Sequence, residues 1–377
     1  MTEHTTTKGS PRCGRRSTRP LVVSVFGTRP QLIKLSAVWA SLERAFRSVL
    51  VDSGQHYDSQ LSGAFYSGEG IRAPDVHLGI RADTPATQIG RIAEALDDRL
   101  KKLQPDAVIT FGDTSTTAGA AIAASYRSIP MAHIEAGMRA FDRSTPEEKN
   151  RILADQLATW RFCPTRTAVT NLKNEGLRTG VAGVGDVMFE NFLRNQATSK
   201  TPDARERFGL PEGEYYFLTC HRAENVDDPE RLTRLFEIIT RLDRPVVYAV
   251  HPRARKNLIR QKLWARLKKI DHLRLTVPLA HQPTLALAAS ARIVLTDSGG
   301  LQREAYWLRT PCLTLRDRTE WVETVQCGAN RLVDLRWDRV RKALARRWHI
   351  STISDPYFRN RTPAARIVAR LKRDLMS

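Results

Sequence analysis

Short apolar runs alternate with helix-length segments along almost the whole chain, and that alternation restricts the fold more than any other feature. Leu21–Phe26 reads as a strand, and Gly27-Thr28-Arg29-Pro30 turns it into a helix from Gln31, with Pro30 where a first-turn proline is tolerated. Strand Val49–Asp52, helices near Ser59–Tyr66 and over Thr84–Leu103, strand Ala107–Phe111, the small-residue helix Thr116–Ser125 and strand Met131–Ile134 follow. Next come helix Lys149–Thr159, strand Arg161–Cys163, helix Arg166–Gly176 and strand Val181–Val184, before Gly185-Asp186 leads into another helix. Strands this apolar, each followed by a helix, pair in parallel and are covered on both faces.

A polar, Pro-containing stretch at Thr198–Glu214 interrupts the rhythm. The rhythm restarts with strand Tyr215–Thr219, helix Pro229–Leu242, strand Val246–Val250, helix Arg253–Lys269, and strands Leu273–Val277, Ile293–Thr296 and Cys312–Leu315. Trp337, Val340, Leu344 and Trp348 fall on one helical face expected to pack inward, and Pro363–Leu375 reads as a terminal helix. The expected architecture is α/β: two Rossmann-like domains, 20–195 and 196–362, with helix 363–377 joining the first. Residues 1–19 are expected to form a disordered basic tail. In such folds ligands bind outside the carboxyl ends of the strands, so a cleft between the two sheets is expected.

No apolar run approaches the ~20 residues that cross a bilayer, and residues 1–19 lack the apolar stretch of a secretory signal. The five cysteines form no C-x-x-C pair, which fits a reducing cytoplasm. The formal net charge of +20 divides into +4 for residues 1–19, +9 for 331–377 and +7 for everything between. The excess is therefore expected at the two ends, outside the segments that look catalytic. Placed there it favours nonspecific contact with polyanions over specific nucleic-acid recognition.

Seven polar clusters stand just after strands, where a cleft would gather them. The first half supplies Gly27-Thr28-Arg29, Ser53-Gly54-Gln55-His56, Gly112-Asp113-Thr114 and His133-Ile134-Glu135-Ala136-Gly137. The second supplies Cys220-His221-Arg222-Ala223-Glu224-Asn225, His251-Pro252-Arg253 and Thr296-Asp297-Ser298-Gly299-Gly300. A strand that turns through Ser-Gly-Gly into a helix presents free backbone N–H groups and the positive end of a helix dipole, a place suited to phosphate. Glu304, about one turn on, can accept hydrogen bonds from a ribose. Asp113 and Glu135 follow adjacent strands, so their carboxylates should converge on the cleft floor, where proximity would push one pKa up and make an acid/base pair. Glu147 or Glu148 can supply a third acid. Of His221 and His251, one can shuttle protons or bind diphosphate while the other caps a turn.

These clusters together resemble the UDP-N-acetylglucosamine 2-epimerase family of the non-hydrolysing type. The matching stretches are F-G-T-R-P-Q-L-I-K (26–34), G-Q-H (54–56), G-D-T-S-T-T (112–117), H-I-E-A-G-M-R (133–139) and P-E-E-K-N-R (146–151). They continue with C-H-R-A-E-N (220–225), T-D-S-G-G-L-Q-R-E-A (296–305) and L-R-D-R-T-E-W-V-E (315–323), in order over about 21–370. The resemblance implies the glycosyltransferase B type of fold and a homodimer. It implies Asp113, Glu135, Glu147 and His221 as catalytic residues. Substrate-binding residues would be Arg29, Lys34, Gln55, His56, Arg151, Arg222, His251 and Arg316, with Ser298, Gly299, Gly300 and Glu304 holding UDP. The implied reaction inverts C2 of a UDP-2-acetamido sugar by eliminating UDP and adding it back to a glycal. It requires no metal and no cofactor. Gln31 and Trp321 depart from the Glu and Arg common in the family and, with V-G-D-V-M at 184–188, resemble the branch acting on UDP-2,3-diacetamido-2,3-dideoxyglucuronate. A glycosyltransferase of the same fold, acting on an acceptor such as nucleic acid, is the competing class. It would have no use for paired carboxylates.

Overall fold

The computed structural model describes residues 19–55, 66, 70–82, 84–198 and 206–377. The expected tail 1–19 (apart from Arg19), the helix near Ser59–Tyr66 (apart from Tyr66), His56 and part of the 198–214 stretch lie outside these described residues.

Two all-parallel sheets form, one from each half of the chain. The first contains β1 (Leu21–Phe26), β2 (Arg47–Asp52), β3 (Val76–His77), β4 (Ala107–Phe111), β5 (Met131–Ile134), β6 (Trp160–Cys163) and β7 (Val181–Gly183). Its strand order is β3-β2-β1-β4-β5-β6-β7. The second contains β8 (Tyr216–Cys220), β9 (Val246–Val250), β10 (Leu273–Thr276), β11 (Ile293–Thr296), β12 (Cys312–Thr314) and β13 (Asn330–Leu332), in the order β10-β9-β8-β11-β12-β13. Both sheets reverse direction of winding beside their first strand, between β1 and β4 and between β8 and β11. Crevices open at such switch points because successive crossovers go to opposite faces.

Each sheet is buried on both faces, which is why its strands read as unbroken apolar runs. On the second sheet, Leu218, Cys220 and Leu295 pack with Leu235, Ile239, Leu258 and Val340 on one face. Phe217, Val247 and Val294 pack with Leu287, Leu301 and Ala305 on the other. The terminal helix Pro363–Met376 places Ala364, Ile367 and Leu371 in a core of the first sheet, against Val22, Leu35 and Trp160. A further cluster joins the halves: Ala136 and Met138 from the first meet Tyr306 and Trp321 from the second, with Ile353 and Phe358 of the returning chain.

Three local readings need correction. β3 and β13, of two and three residues, are too short to leave an apolar alternation. The single helix expected over 253–269 is two helices, Pro252–Arg260 and Trp264–Leu267, because Lys262 takes a left-handed backbone (φ 58°) with no glycine to signal it. The helix that begins at Trp337 ends at Ala345, where Arg346 is extended, so Trp348 reaches the core from beyond the helix.

Candidate active site

At the first switch point, Gln31 ties β1 to β4. Its amide nitrogen donates to the Phe111 carbonyl (2.9 Å) and the Thr117 hydroxyl (3.0 Å), and its oxygen accepts from the Gly27 N–H (3.0 Å). A carboxylate there would face the Phe111 carbonyl oxygen without a proton to give, which accounts physically for an amide at this position. Gln55 is drawn to the same place, its oxygen accepting from the N–H and hydroxyl of Thr116 at 3.0 and 2.8 Å. Arg29 is half-buried at the first residue of helix Arg29–Ala45.

Gly112 ends β4 with φ 65°, and an added Cβ would meet the Lys34 ammonium at 2.8 Å. Glycine is therefore needed for the turn, and a Cβ there would also push on the end of the Lys34 side chain. Glu135, after β5, holds a left-handed backbone (φ 73°) although it is not a glycine, a strain typical of functional sites. Its carboxylate reaches Lys34 at 2.8 Å. Between the two loops, fully buried His133 places one ring nitrogen 2.7 Å from the Gly112 carbonyl and the other 2.7 Å from Asp155, which accepts in turn from the Gly137 N–H. One side chain thus ties the loop carrying Asp113 to the loop carrying Glu135.

Ion pairs cross from one half to the other. Arg303, one turn into helix Gly299–Trp307, reaches Glu135 at 3.2 Å and buried Asp186 at 2.6 Å. Its guanidinium lies 4.0 Å from the centre of the Trp321 ring. Arg151 is ion-paired with Asp113 and Glu148 in its own half, and with Glu320 of the other at 3.6 Å. Glu320 is also approached by Arg222 (3.8 Å) and Arg316 (3.1 Å). Arg318 meets Asp142 at 2.9 Å. Of the two candidates for a third acid, Glu148 is buried and accepts the N–H groups of Ala140 and Phe141. Glu147 is half-buried and faces Arg222 at 3.9 Å.

At the second switch point, buried Asp297 accepts the N–H groups of His221 and Arg222 and the Asn225 amide, and lies 3.1 Å from the His221 ring. The His221 and His251 rings are 5.7 Å apart, and His251 caps helix Pro252–Arg260 by accepting the Arg253 N–H. Ser298 caps helix Gly299–Trp307. A Cβ on Gly299 would stand 3.3 Å from the Trp321 indole nitrogen and 3.8 Å from Glu320, so the backbone there stays uncovered only because no side chain is present.

The electrostatics correct one expectation. Asp113 does push Glu135 upward, as their convergence implies, but neither carboxyl is raised overall. Burial opposes ionisation of Asp113, but Arg151, Lys34 and Arg222 outweigh it and hold the carboxyl at about 2. Burial also works against Glu135, and Lys34 with Arg303 still lowers it. The carboxyl that burial does raise is Asp186, with Glu135 adding repulsion against the opposing pull of Arg303. Glu320, buried among three arginines, is held at about 2. Lys34, shared by both acids, together with Arg151 and Arg222 at Asp113 and Arg303 at Glu135, outweighs the repulsion between them.

Glu304 is buried, with His281 2.7 Å from its carboxylate. Asp186, Arg303, Glu320 and Trp321 were absent from the site residues read from the sequence. Asp186 follows β7 and obeys the strand-end rule that found the others. Arg303 sits a turn inside its helix, and Glu320 precedes a short helix rather than following a strand.

With this geometry in view, comparison with known proteins is decisive for kinship. The model of the family described as UDP-N-acetylglucosamine 2-epimerase matches residues 40–372. The chain is 40% identical over 330 residues to the UDP-2,3-diacetamido-2,3-dideoxy-D-glucuronate 2-epimerase of Pseudomonas aeruginosa, covering 85% of this chain and 90% of that one. It is 39% identical over 314 residues to a UDP-N-acetylglucosamine 2-epimerase homolog of Methanococcus maripaludis, covering 83% and 88%. The crystal structure of Methanocaldococcus jannaschii UDP-GlcNAc 2-epimerase in complex with UDP-GlcNAc and UDP superposes with a TM-score of 0.85 at 35% identity, over 94% of this chain and 99% of the other. The fold is the glycosyltransferase B type implied by the resemblance, and the chain belongs to the UDP-N-acetylglucosamine 2-epimerase family.

Proposed function

We propose that this protein is a non-hydrolysing UDP-N-acetylglucosamine 2-epimerase. The observation that carries the reading is the short path across the cleft. Asp113 is paired with Arg151, Arg151 with Glu320, and Glu320 lies 3.8 Å from the position a Gly299 side chain would take. Acids from the first half and an uncovered helix N-terminus from the second therefore border the same gap.

In this reading Ser298, Gly299, Gly300 and the helix dipole hold the diphosphate, with Arg222 and Arg316 nearby. Glu304 steadies the ribose side through its helix, and His251 borders the diphosphate beside His221. The C2 proton of the sugar is not acidic until the C1–oxygen bond breaks. As UDP leaves with the bonding electrons, the electron-poor centre at C1 makes that proton removable. A carboxylate takes it and the C1–C2 double bond of a glycal forms. Protonation at C2 from the opposite face, followed by addition of UDP to C1, gives the epimer. Two faces need two proton-handling groups. Asp113 and Glu135 are proposed for these roles, with Glu147 and His221 assisting from the two sides of the opening. Arg29, Lys34, Gln55, His56 and Arg151 are proposed to bind the sugar. Residues 20–195 with 363–377 would form the acid-bearing domain and 196–362 the UDP-binding one. A homodimer, a cytoplasmic location and nonspecific polyanion contact through residues 1–19 and 331–377 complete the reading.

The test is incubation with UDP-N-acetylglucosamine in deuterated water, followed by NMR. Deuterium at C2 with UDP still attached is the expected result. Free N-acetylmannosamine would replace the proposal with hydrolysis, and unlabelled, unchanged substrate would sink it. Running UDP-2,3-diacetamido-2,3-dideoxyglucuronate in parallel decides between the substrates of the two kinds of relative.

A further inference from the structure

Counted along the chain, positive charge concentrates at the ends, but a second basic surface lies between them. Residues 253–269 contain eight Lys or Arg and no Asp or Glu. All eight are exposed, on helices Pro252–Arg260 and Trp264–Leu267 and the turns between and after them. Among the described residues only Arg253 of these is ion-paired, with Asp227. The basic C-terminal region differs in carrying acids of its own, so that Arg336, Arg370 and Arg373 there each face a carboxylate.

The two helices are anchored from below by Ala254, Leu258, Leu263 and Leu267, which enter the core of the second sheet. The anchoring fixes the outward direction of the cations. Their far end is remote from the cleft, because His272, just beyond Lys269, gives its carbonyl to Val246 at the amino end of β9. Two apolar side chains stand among the charges. Ile259 is 51% exposed, an aliphatic side chain set among cations on the outer face of its helix. Trp264 is partly buried, with Arg255 and Lys268 over its ring at 5.4 and 5.9 Å.

We propose that this face docks on the anionic leaflet of a phospholipid bilayer. Lys and Arg surrounding an exposed aliphatic side chain on a short surface helix is the pattern of interfacial attachment, in which charge draws the helix down and the apolar side chain enters the headgroup boundary. Single-stranded nucleic acid fits less well, because bases need uncovered aromatic faces. Here the Trp264 ring carries Arg255 and Lys268, and the Phe236 ring carries Arg266 at 4.5 Å. Attachment is peripheral: among the described residues no helix is long and apolar enough to cross a membrane. The inference is independent of what the cleft does.

The experiment is flotation of the full-length protein with vesicles of phosphatidylcholine alone and of phosphatidylcholine doped with phosphatidylglycerol, at low and high salt. Binding only to the doped vesicles, weakened by salt, is expected. The variant K256E/K262E/K268E/K269E should bind more than about tenfold more weakly. Ile259→Asp should reduce binding while leaving every cation in place. Both variants should turn over UDP-N-acetylglucosamine like the parent, which shows that they fold. No binding of the parent to doped vesicles overturns the proposal, and so does binding that survives the fourfold reversal, since the contact would then lie elsewhere. Tighter binding to single-stranded RNA or duplex DNA that is indifferent to Ile259→Asp also overturns it, in favour of nucleic acid.

Discussion

Arg151 in the cleft is ion-paired with three carboxylates, whereas Lys262 on the outer layer of the second sheet is paired with none among the described residues. Both are cations in a chain of net charge +20, and a count of charges treats them alike. Their surroundings impose different rules. Arg151 is buried, and a buried charge persists only with partners that replace water. Lys262 keeps its water and needs no partner, but it adds to a local repulsion that salt screens. Paired charge therefore marks where geometry has been fixed, and unpaired charge marks where an external anion can lower the free energy.

The largest effect expected of this contrast lies in the chemistry. Asp113→Asn keeps the shape of the side chain and leaves Arg151 with Glu148 and Glu320, but removes the group that can take a proton. A loss of about 10²–10⁴ in kcat is expected, with little change in fold. Deuterium incorporation at C2 measures it directly. A loss under about tenfold would reduce Asp113 to a counter-ion for Arg151.

Next in size is Arg303→Leu. It would leave Glu135 and Asp186 without their shared cation, with only Lys34 remaining for Glu135. Stripping one partner from a buried ion cluster costs about 3–5 kcal/mol, readable by denaturant unfolding. Adding Asp186→Asn should recover part of it, because Asp186 is the acid that burial already raises. If the double variant is no more stable than the single one, Asp186 is not the acid that needs Arg303.

These two variants also show how much was legible beforehand. Asp113 could be read from the sequence because a strand of five buried residues ends at a glycine turn, and parallel sheets place such ends at a cleft. That rhythm gives parallel sheets covered by helices, but the order of strands and the two switch points come from the structure. Arg303 was invisible as a site residue although its stretch had been singled out. Its importance comes from Asp186 and Glu135, 117 and 168 positions away, and long-range pairing leaves no local pattern. The expected rise in one acid of the Asp113–Glu135 pair is missing for the same reason: the cations that outweigh it come from other elements. The unpaired face at 253–269 was diluted when the central 311 residues were taken as one block of +7, since acids elsewhere in that block cancel its charge without approaching it.

Acid and salt should act on the two regions in opposite ways. Asp113 and Glu320 sit at about 2 in the fold, below the ordinary carboxylate values of about 3.9 and 4.3. Their contribution to stability is complete above those ordinary values and is lost as the pH falls through about 2. Acid unfolding followed by tryptophan emission, with Trp321 beneath Arg303, should begin below about pH 4. High salt should shift that transition little, because the cleft charges are mostly buried, while it should abolish vesicle binding. A transition already advanced at pH 5 would mean that the cleft acids are not held down by their arginines.

The smallest effect tests the outer face alone. Lys262→Glu with Lys269→Glu replaces two positive charges by negative ones in a run that has no acid, and both side chains are exposed, so no packing is lost. Exposed substitutions away from caps and cores usually change stability little. Relief of repulsion should therefore appear as a rise of roughly 1–2 °C in the thermal midpoint at low salt. The rise should vanish in high salt, where the Debye length falls to about 3 Å at 1 M and neighbouring cations no longer sense one another. A decrease at low salt would mean that these lysines are satisfied by groups of the protein itself. The contrast with Arg151 would then be one of burial alone.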